Sequence, residues 1–199
     1  VAEKYNLYVV EDAAQAIDSY YKGAPLGSIG TFGTLSFHET KNIISGEGGL
    51  LVINDKEFIS RAEIIREKGT NRTAYFRGEI DKYGWVDVGS SFLPSDIISA
   101  VLYAQLKKLK DIQDKRKKIW CQYYDLLLPL EEKNFIRLPN IPSYATNNAH
   151  MFFIECQNTI VREDLIYFLP RLFFNNQDKI KLAIHRNSSN SIIFPQKVR

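Results

Sequence analysis

The chain has 199 residues, of which 45% are hydrophobic and 25% charged, with 26 Lys and Arg against 23 Asp and Glu. This is ordinary globular composition, so disordered, collagen-like and coiled-coil readings are excluded, and a chain of this length buries roughly 70% of its unfolded surface. A formal charge of +3 is too weak to point to nucleic acid or an anionic membrane, and neither partner is expected.

The sole methionine is Met151, so the sequence is expected to open inside a longer protein, with Ala2 to Asn6 closing a helix that runs into a strand. Leu7 to Val10 is a short apolar run ended by Glu11 and Asp12, the pattern of a buried parallel strand whose C-terminal end carries polar groups. Gly23, Pro25, Gly27, Gly30 and Gly33 mark a turn-rich connection. Strands are expected at Thr34 to Phe37 and Leu50 to Ile53, joined by a loop from Thr40 to Gly49. Asn54 and Asp55 then cap a helix with apolar positions at Phe58, Ile59, Ala62 and Ile65. Strands alternating with helices indicate an α/β domain.

Thr70 to Gly89 loses all period and reads as a long excursion. Ser91 to Asp96 opens a helix, with Pro94 in its first turn, that continues toward Leu127 and is broken once. Lys107 to Lys118 holds seven basic and two acidic residues, which reads as a solvated helix face. Past Pro129, Phe135 to Leu138 and Met151 to Ile154 look strand-like and Arg162 to Leu169 helical. The expected layout is therefore a domain over 1–93, a connecting helix or helices over 94–128, and a smaller C-terminal α/β domain over 129–199. From Asn175 onward neither period is clean.

Cys121 and Cys156 are too far apart in sequence for a Cys-x-x-Cys motif, and a chain this long does not need a disulfide, so a reducing cytoplasm is expected and no metal site. No stretch approaches the ~18 uncharged apolar residues of a spanning helix, and Val1 to Asn6 is not a signal peptide.

Chemistry-bearing residues gather early in the chain. Asp12 and Gln15 are three apart at a strand end, so one helical turn would align them; a capping pair is the plainer reading. Lys41 follows Ser36 by five residues and precedes a glycine cluster; alone, Lys41 reads as a solvated loop residue, and Ser36 is an equally weak signal. Together they match what pyridoxal phosphate needs: a Lys amine for a Schiff base, a carboxylate to keep the pyridine nitrogen protonated, and donors around the phosphate.

Val10-Glu-Asp-Ala-Ala-Gln-Ala16, Pro25-Leu-Gly27, Ser36-Phe-His-Glu-Thr-Lys-Asn42 and Gly46-Glu-Gly-Gly49 resemble the sugar-nucleotide aminotransferases of the DegT/DnrJ/StrS type. Arg66-Glu-Lys-Gly-Thr-Asn-Arg72, Asp81-Lys-Tyr83, Trp85-Val-Asp87, Gly89-Ser-Ser91, Leu93-Pro-Ser-Asp96 and Asn148-Ala-His-Met151 are similar to the subgroup that makes dTDP-4-amino-4,6-dideoxygalactose for enterobacterial common antigen. The resemblance implies part of an aspartate-aminotransferase-like large domain with a mainly parallel sheet (fold type I), plus a smaller C-terminal α/β domain. It also implies pyridoxal 5'-phosphate as cofactor, a nucleotide sugar and L-glutamate as substrates, and a homodimer.

By the same resemblance Lys41 forms the Schiff base, Asp12 pairs with the pyridinium nitrogen, Gln15 contacts the phenolic oxygen and Ser36 binds the phosphate. Ser91 stands where many relatives reach the partner subunit's phosphate with an Asn. His38 lies beside the site as a packed or solvated residue. The large N-terminal portion of the family, with its phosphate-cradling turn and ring-stacking aromatic, is absent from these residues. The similarity fades after Arg162, and the family's histidine segment, expected near His185, is not reproduced. Two rival readings remain: a sugar dehydratase of the same fold, whose relatives carry His where this chain has Lys41, and a truncated, non-catalytic remnant or binding module.

Overall fold

The computed structural model describes residues 1–174 and 191–195. The chain divides into two units, one of Val1–Ile17 with Ala24–Lys108, the other of Asp18–Gly23 with Leu109–Arg199.

In the first unit a single helical turn, α1 (Ala2–Tyr5), stops at Asn6, whose φ of 49° is left-handed, a conformation Asn tolerates better than most residues. Strand β1 (Val10–Asp12) follows, starting later than the apolar run would place it. Two-residue strands β2 (Tyr20–Tyr21, in the second unit) and β3 (Ala24–Pro25) precede β4 (Phe32–Ser36) and β5 (Gly49–Ile53). The sheet order is β1-β4-β5: β1 runs parallel to β4, with Asp12 opposite Thr34, and β4 runs antiparallel to β5, with Ser36 opposite Gly49.

The expectation of a mainly parallel sheet is thus corrected to a mixed one. The physical reason lies in the connections: β4 and β5 are joined by a compact loop that reverses direction, whereas a parallel return needs a longer crossover. Nor is β1 a buried strand. It lies at the sheet edge, and Leu7, Tyr8 and Val10 are exposed.

Beyond β5 the Asp55 carboxylate accepts the Glu57 N–H at 3.0 Å and caps a 3₁₀ turn (Lys56–Phe58) that runs into α2 (Ile59–Arg66). Phe58 returns to the sheet, its ring 5.0 Å from Phe32 and 5.3 Å from Tyr8. The stretch read as irregular contains α3 (Arg72–Phe76) and is tied down by backbone: Gly69 C=O accepts from Val86 N–H and Asp87 N–H, and Lys68 N–H donates to Ser90 C=O. A Cβ on Gly69 would lie 1.9 Å from the Asp87 carbonyl oxygen, so only glycine fits there. Helix α4 (Asp96–Lys107) starts at Ser95, whose hydroxyl accepts the Ile98 N–H, and the expected break falls at Lys108.

The second unit holds α5 (Leu109–Glu132), which carries Pro129 within it, then β6 (Ile136–Arg137), β7 (Met151–Cys156), α6 (Thr159–Phe174) and β8 (Ser191–Pro195). Its sheet, β6-β7-β8, is antiparallel throughout. Strand β8 forms where no period was legible; the rest of 175–199, His185 included, lies outside the described residues. Along β7 the even positions Phe152, Ile154 and Cys156 are buried and the odd ones partly exposed, the alternation of a half-buried strand. They pack with Tyr123, Ile136, Leu138 and Ile192, and α5 lays Ile119, Trp120, Tyr124 and Leu127 on them at helical spacing.

The basic run on α5 is not simply a solvated face. Arg116 is only 4% exposed and Gln113 2%. The Arg116 guanidinium donates to the carbonyls of Ala149 (3.2 Å) and His150 (2.7 Å), and Gln113 donates to Asn148 C=O (3.3 Å) and to Asp18 (3.2 Å). Desolvation pushes the Arg116 pKa down to about 10, still well above neutrality. Lys117 pairs with Asp18 at 2.9 Å. Alternating charge on a helix looks alike whether it meets water or a loop of bare carbonyls, which is why composition missed this.

Phe152 has no exposed surface and its ring lies 5.2 Å from Trp120 and 5.5 Å from Tyr123. Phe152→Ala is expected to destabilise the second unit by about 3–5 kcal/mol, read as a fall in the urea midpoint, whereas Phe153→Ala, on the partly exposed side of the same strand, costs clearly less.

Candidate functional site

The site grows from strand direction. Because β1 and β4 run parallel, their C-terminal ends share one edge of the sheet, and β5 enters at that edge with Gly49 opposite Ser36. Asp12 ends β1, Ser36 ends β4, and Lys41 lies in the Phe37–Gly48 connection that leaves from and returns to that edge. Three of the sequence-expected residues are thereby brought to one edge by topology.

The connection is strapped, not free. Phe37 N–H donates to Gly48 C=O at 2.9 Å, Ser45 N–H to Phe37 C=O at 2.8 Å, Glu39 N–H to Gly46 C=O at 3.0 Å and Lys41 N–H to His38 C=O at 2.9 Å. Phe37, Asn42, Ile43 and Ser45 are buried, Ile43 completely. Lys41 is therefore held by its backbone just ahead of two buried neighbours, while its own side chain is half-exposed and has no ion-pair partner among the described residues. Gly46 and Gly48 take φ of 89° and 132°, so they supply left-handed backbone for the strap rather than looseness. His38 belongs to the same strap: its Nδ1 accepts the Thr40 N–H at 3.2 Å, and its Nε2 faces Glu47 at 3.7 Å.

Asp12 does not begin a helix. Its carboxylate accepts the Ala14 N–H at 3.1 Å, and Ala16 N–H closes on Ala13 C=O at 2.9 Å, so residues 12–16 form tight turns in which Asp12 plays the usual Asx part. Asp12 and Gln15 are exposed. Among the described residues that one amide is the only hydrogen-bond partner of the Asp12 carboxylate. Ser36 Oγ accepts the His38 N–H at 3.3 Å. Ser91 is elsewhere: it bridges to Glu67 beyond α2.

Residue types that reading by motif left without a role complete the edge. Glu11 is the main one. Its carboxylate accepts the backbone N–H groups of Gly27 (2.9 Å), Ile29 (2.6 Å) and Gly30 (2.6 Å), and Asn54 Nδ2 donates to the carbonyls of Gly27 (3.2 Å) and Gly30 (2.8 Å). Burial works to raise the Glu11 pKa, but the amides of Gly30, Gly27 and Ile29 together outweigh it, so the carboxyl lies below its ordinary value. The available signal was an acid pair at a strand end followed by a glycine-rich turn.

Among the described residues, an amine without a salt bridge, a carboxylate with a single amide partner and a hydroxyl lie at one sheet edge, residue types of the chemistry that a pyridine aldehyde phosphate requires. Comparison with known proteins agrees. The model of the DegT/DnrJ/EryC1/StrS aminotransferase family matches residues 1–188. The chain belongs to that family.

The match runs past Arg162, so the similarity extends further than the motifs had indicated. A UDP-4-amino-4,6-dideoxy-N-acetyl-beta-L-altrosamine transaminase from Campylobacter jejuni is 30% identical over 84% of this chain and 44% of its own length. An aminotransferase from Psychrobacter cryohalolentis superposes with a TM-score of 0.77 at 26% identity, over 86% of this chain and 47% of its own. DesV from S. venezuelae, solved with a ketimine intermediate, gives 0.70 at 26% identity over 86% and 42%. The chain thus spans about half the length of the relatives it matches. Enzymes of this family transfer amino groups to sugars and depend on pyridoxal phosphate.

The lowered Glu11 pKa has a definite sign in stability. A carboxyl that titrates lower when folded contributes fully above its unfolded value of about 4.3 and loses that contribution as pH falls through the folded value. The urea midpoint is expected to decline on acidification from pH ~7 to ~3, and Glu11→Gln is expected to lower the midpoint at neutral pH and to flatten that decline.

Proposed function

We propose that the protein acts in amino transfer from L-glutamate to the C4 ketone of a dTDP-4-keto-6-deoxyhexose, giving dTDP-4-amino-4,6-dideoxygalactose for enterobacterial common antigen or a related cell-surface polysaccharide, in the cytoplasm. The observation that carries this reading is Lys41, with no carboxylate partner among the described residues and its backbone held in the strap that leaves from and returns to the edge where Asp12 and Ser36 end their strands. When bound, pyridoxal phosphate supplies an aldehyde to take the amino group and a ring that stores the electron pair.

The chain's own residues do the rest. Lys41 Nζ would hold the cofactor's aldehyde and, as a free amine, would move a proton at the amino acid α-carbon; positioned acid-base work of this kind is worth ~100 to 10,000-fold. Asp12 would keep the pyridine nitrogen protonated, Gln15 would orient the ring oxygen, and Ser36 would donate to the phosphate. Ser91, away from this edge, is assigned to the partner subunit's phosphate in a homodimer. Exposed apolar residues of the first unit, Trp85, Val88 and Ile97 among them, are consistent with a covered surface there. Residues 1–93 are assigned to the large cofactor domain, 94–128 to the connecting helices and 129–199 to the small domain.

Two points favour this substrate class over its rivals. Lys stands at position 41 where dehydratases of the same fold carry His. The Campylobacter relative is by its name a transaminase of a 4-amino-4,6-dideoxy sugar nucleotide, which supports C4 as the carbon aminated; its nucleotide is UDP, so dTDP rests on the motif resemblance alone.

The test uses the purified chain with added pyridoxal phosphate. A visible absorbance band that borohydride bleaches is expected, and Lys41→Ala should abolish it and lower turnover by at least ~100-fold. Product formation from glutamate with dTDP- and UDP-linked 4-keto-6-deoxy sugars, followed by NMR, separates the nucleotides. A folded chain that gives no band is a binding remnant; a band that survives Lys41→Ala sinks the assignment.

A further inference from the structure

The end of β1 offers two neighbouring acids, Glu11 and Asp12, and the proposed chemistry uses one of them. Successive residues of a strand face opposite sides of the sheet, so the register of β1 decides which acid faces which way.

We propose that Glu11 is the positioning residue of the site: by seating its carboxylate on the three amides of the Gly27–Gly30 turn it locks the register of β1 on β4, and so selects Asp12 as the acid left to meet the cofactor. The inference rests on the role proposed above for Asp12.

The turn is a rigid seat. A Cβ on Gly33 would lie 2.0 Å from the Gly27 carbonyl oxygen, and one on Gly30 would lie 2.8 Å from both the Val9 carbonyl oxygen and its Cγ1, so the turn packs directly against β4 and against the residue that leads into β1. Gly27 has a φ of 90°, which an L side chain adopts only with strain. Asn54 holds the turn's carbonyls while Glu11 holds its amides, and the Thr34 hydroxyl donates to the Glu11 carbonyl at 3.3 Å. Slipping β1 by one residue would put Asp12 on the turn side and Glu11 on the other. Asp12 is shorter by one methylene and does not span the same three donors, so all three charge-assisted bonds would be lost together. The acid that reaches the amides is therefore consumed structurally, and its neighbour keeps a carboxylate with one local partner.

The experiment reads the register itself, by cross-strand NOEs of the labelled 199-residue chain between Asp12 and Thr34, together with amide exchange at Gly27, Ile29 and Gly30. Glu11→Gln is expected to weaken the Asp12–Thr34 NOEs and to reduce protection of the three amides at least ~10-fold, with the β4–β5 amides unchanged. Asn54→Ala, which loosens the same turn from its carbonyl side, is expected to lower the urea midpoint and leave those NOEs in place. A Glu11 that only stabilises the turn would leave the NOEs intact in both variants, and that result overturns the proposal. If Glu11→Gln does not fold, the wild type decides: on acidification the three amides should lose protection and the Asp12–Thr34 NOEs should fade as Glu11 is protonated, before the β4–β5 contacts are lost. NOEs or amide protection that persist below that pH overturn it.

The ring nitrogen of added 15N-pyridoxal phosphate separates this from the functional reading. Its titration should move in Asp12→Asn and, by a smaller amount, in Glu11→Gln. A ring nitrogen indifferent to Asp12→Asn refutes the role of Asp12 at the cofactor, while the register result still stands or falls on the Asp12–Thr34 NOEs.

Discussion

The Glu11 carboxylate and the three amides it accepts join β1 to the turn that leads into β4. With only three residues in β1 and its apolar neighbours exposed, side-chain burial does little to hold this strand. Directional bonds do it instead, and they are stronger for being charge-assisted. Once β1 is set on β4, the C-terminal ends of both strands reach one edge, and the residues that end them share it without any helix having to bring them there.

Lys41 is positioned by a different device. A long, rotatable side chain gains precision only if its backbone is fixed, and here the fixing is done by the buried Phe37 and Ile43 and by the ring of backbone bonds from Phe37 to Gly48. The glycines of this segment supply backbone angles that other residues resist, which is why a sequence suggestive of looseness folds into a strap. His38, so close in sequence to the lysine, is taken up in holding that strap.

The second unit applies the same economy with a charge inside. Arg116 on α5 is almost fully buried yet meets backbone carbonyls at the start of β7, so the loop before that strand is tied to the helix that also covers its apolar face. Buried cations persist where their hydrogen bonds are met, and the alternation of Phe152, Ile154 and Cys156 supplies the apolar surface around them.

Much was legible in the residue order. The motifs around Asp12, Ser36 and Lys41 resembled the aminotransferase family to which the chain belongs, because such motifs are local runs of residues that need no knowledge of the fold to be read. Many strand and helix positions followed from period, to within a few residues, whereas α3 and β8 did not. What residue order left open was everything set by pairing between distant segments: that β5 runs antiparallel to β4, that β1 is an exposed edge, that Arg116 lies buried, and that Glu11 rather than its neighbour is spent on the turn. Hydrogen bonds between residues some twenty positions apart leave no period in a sequence, and only the folded backbone shows which amides a carboxylate finds.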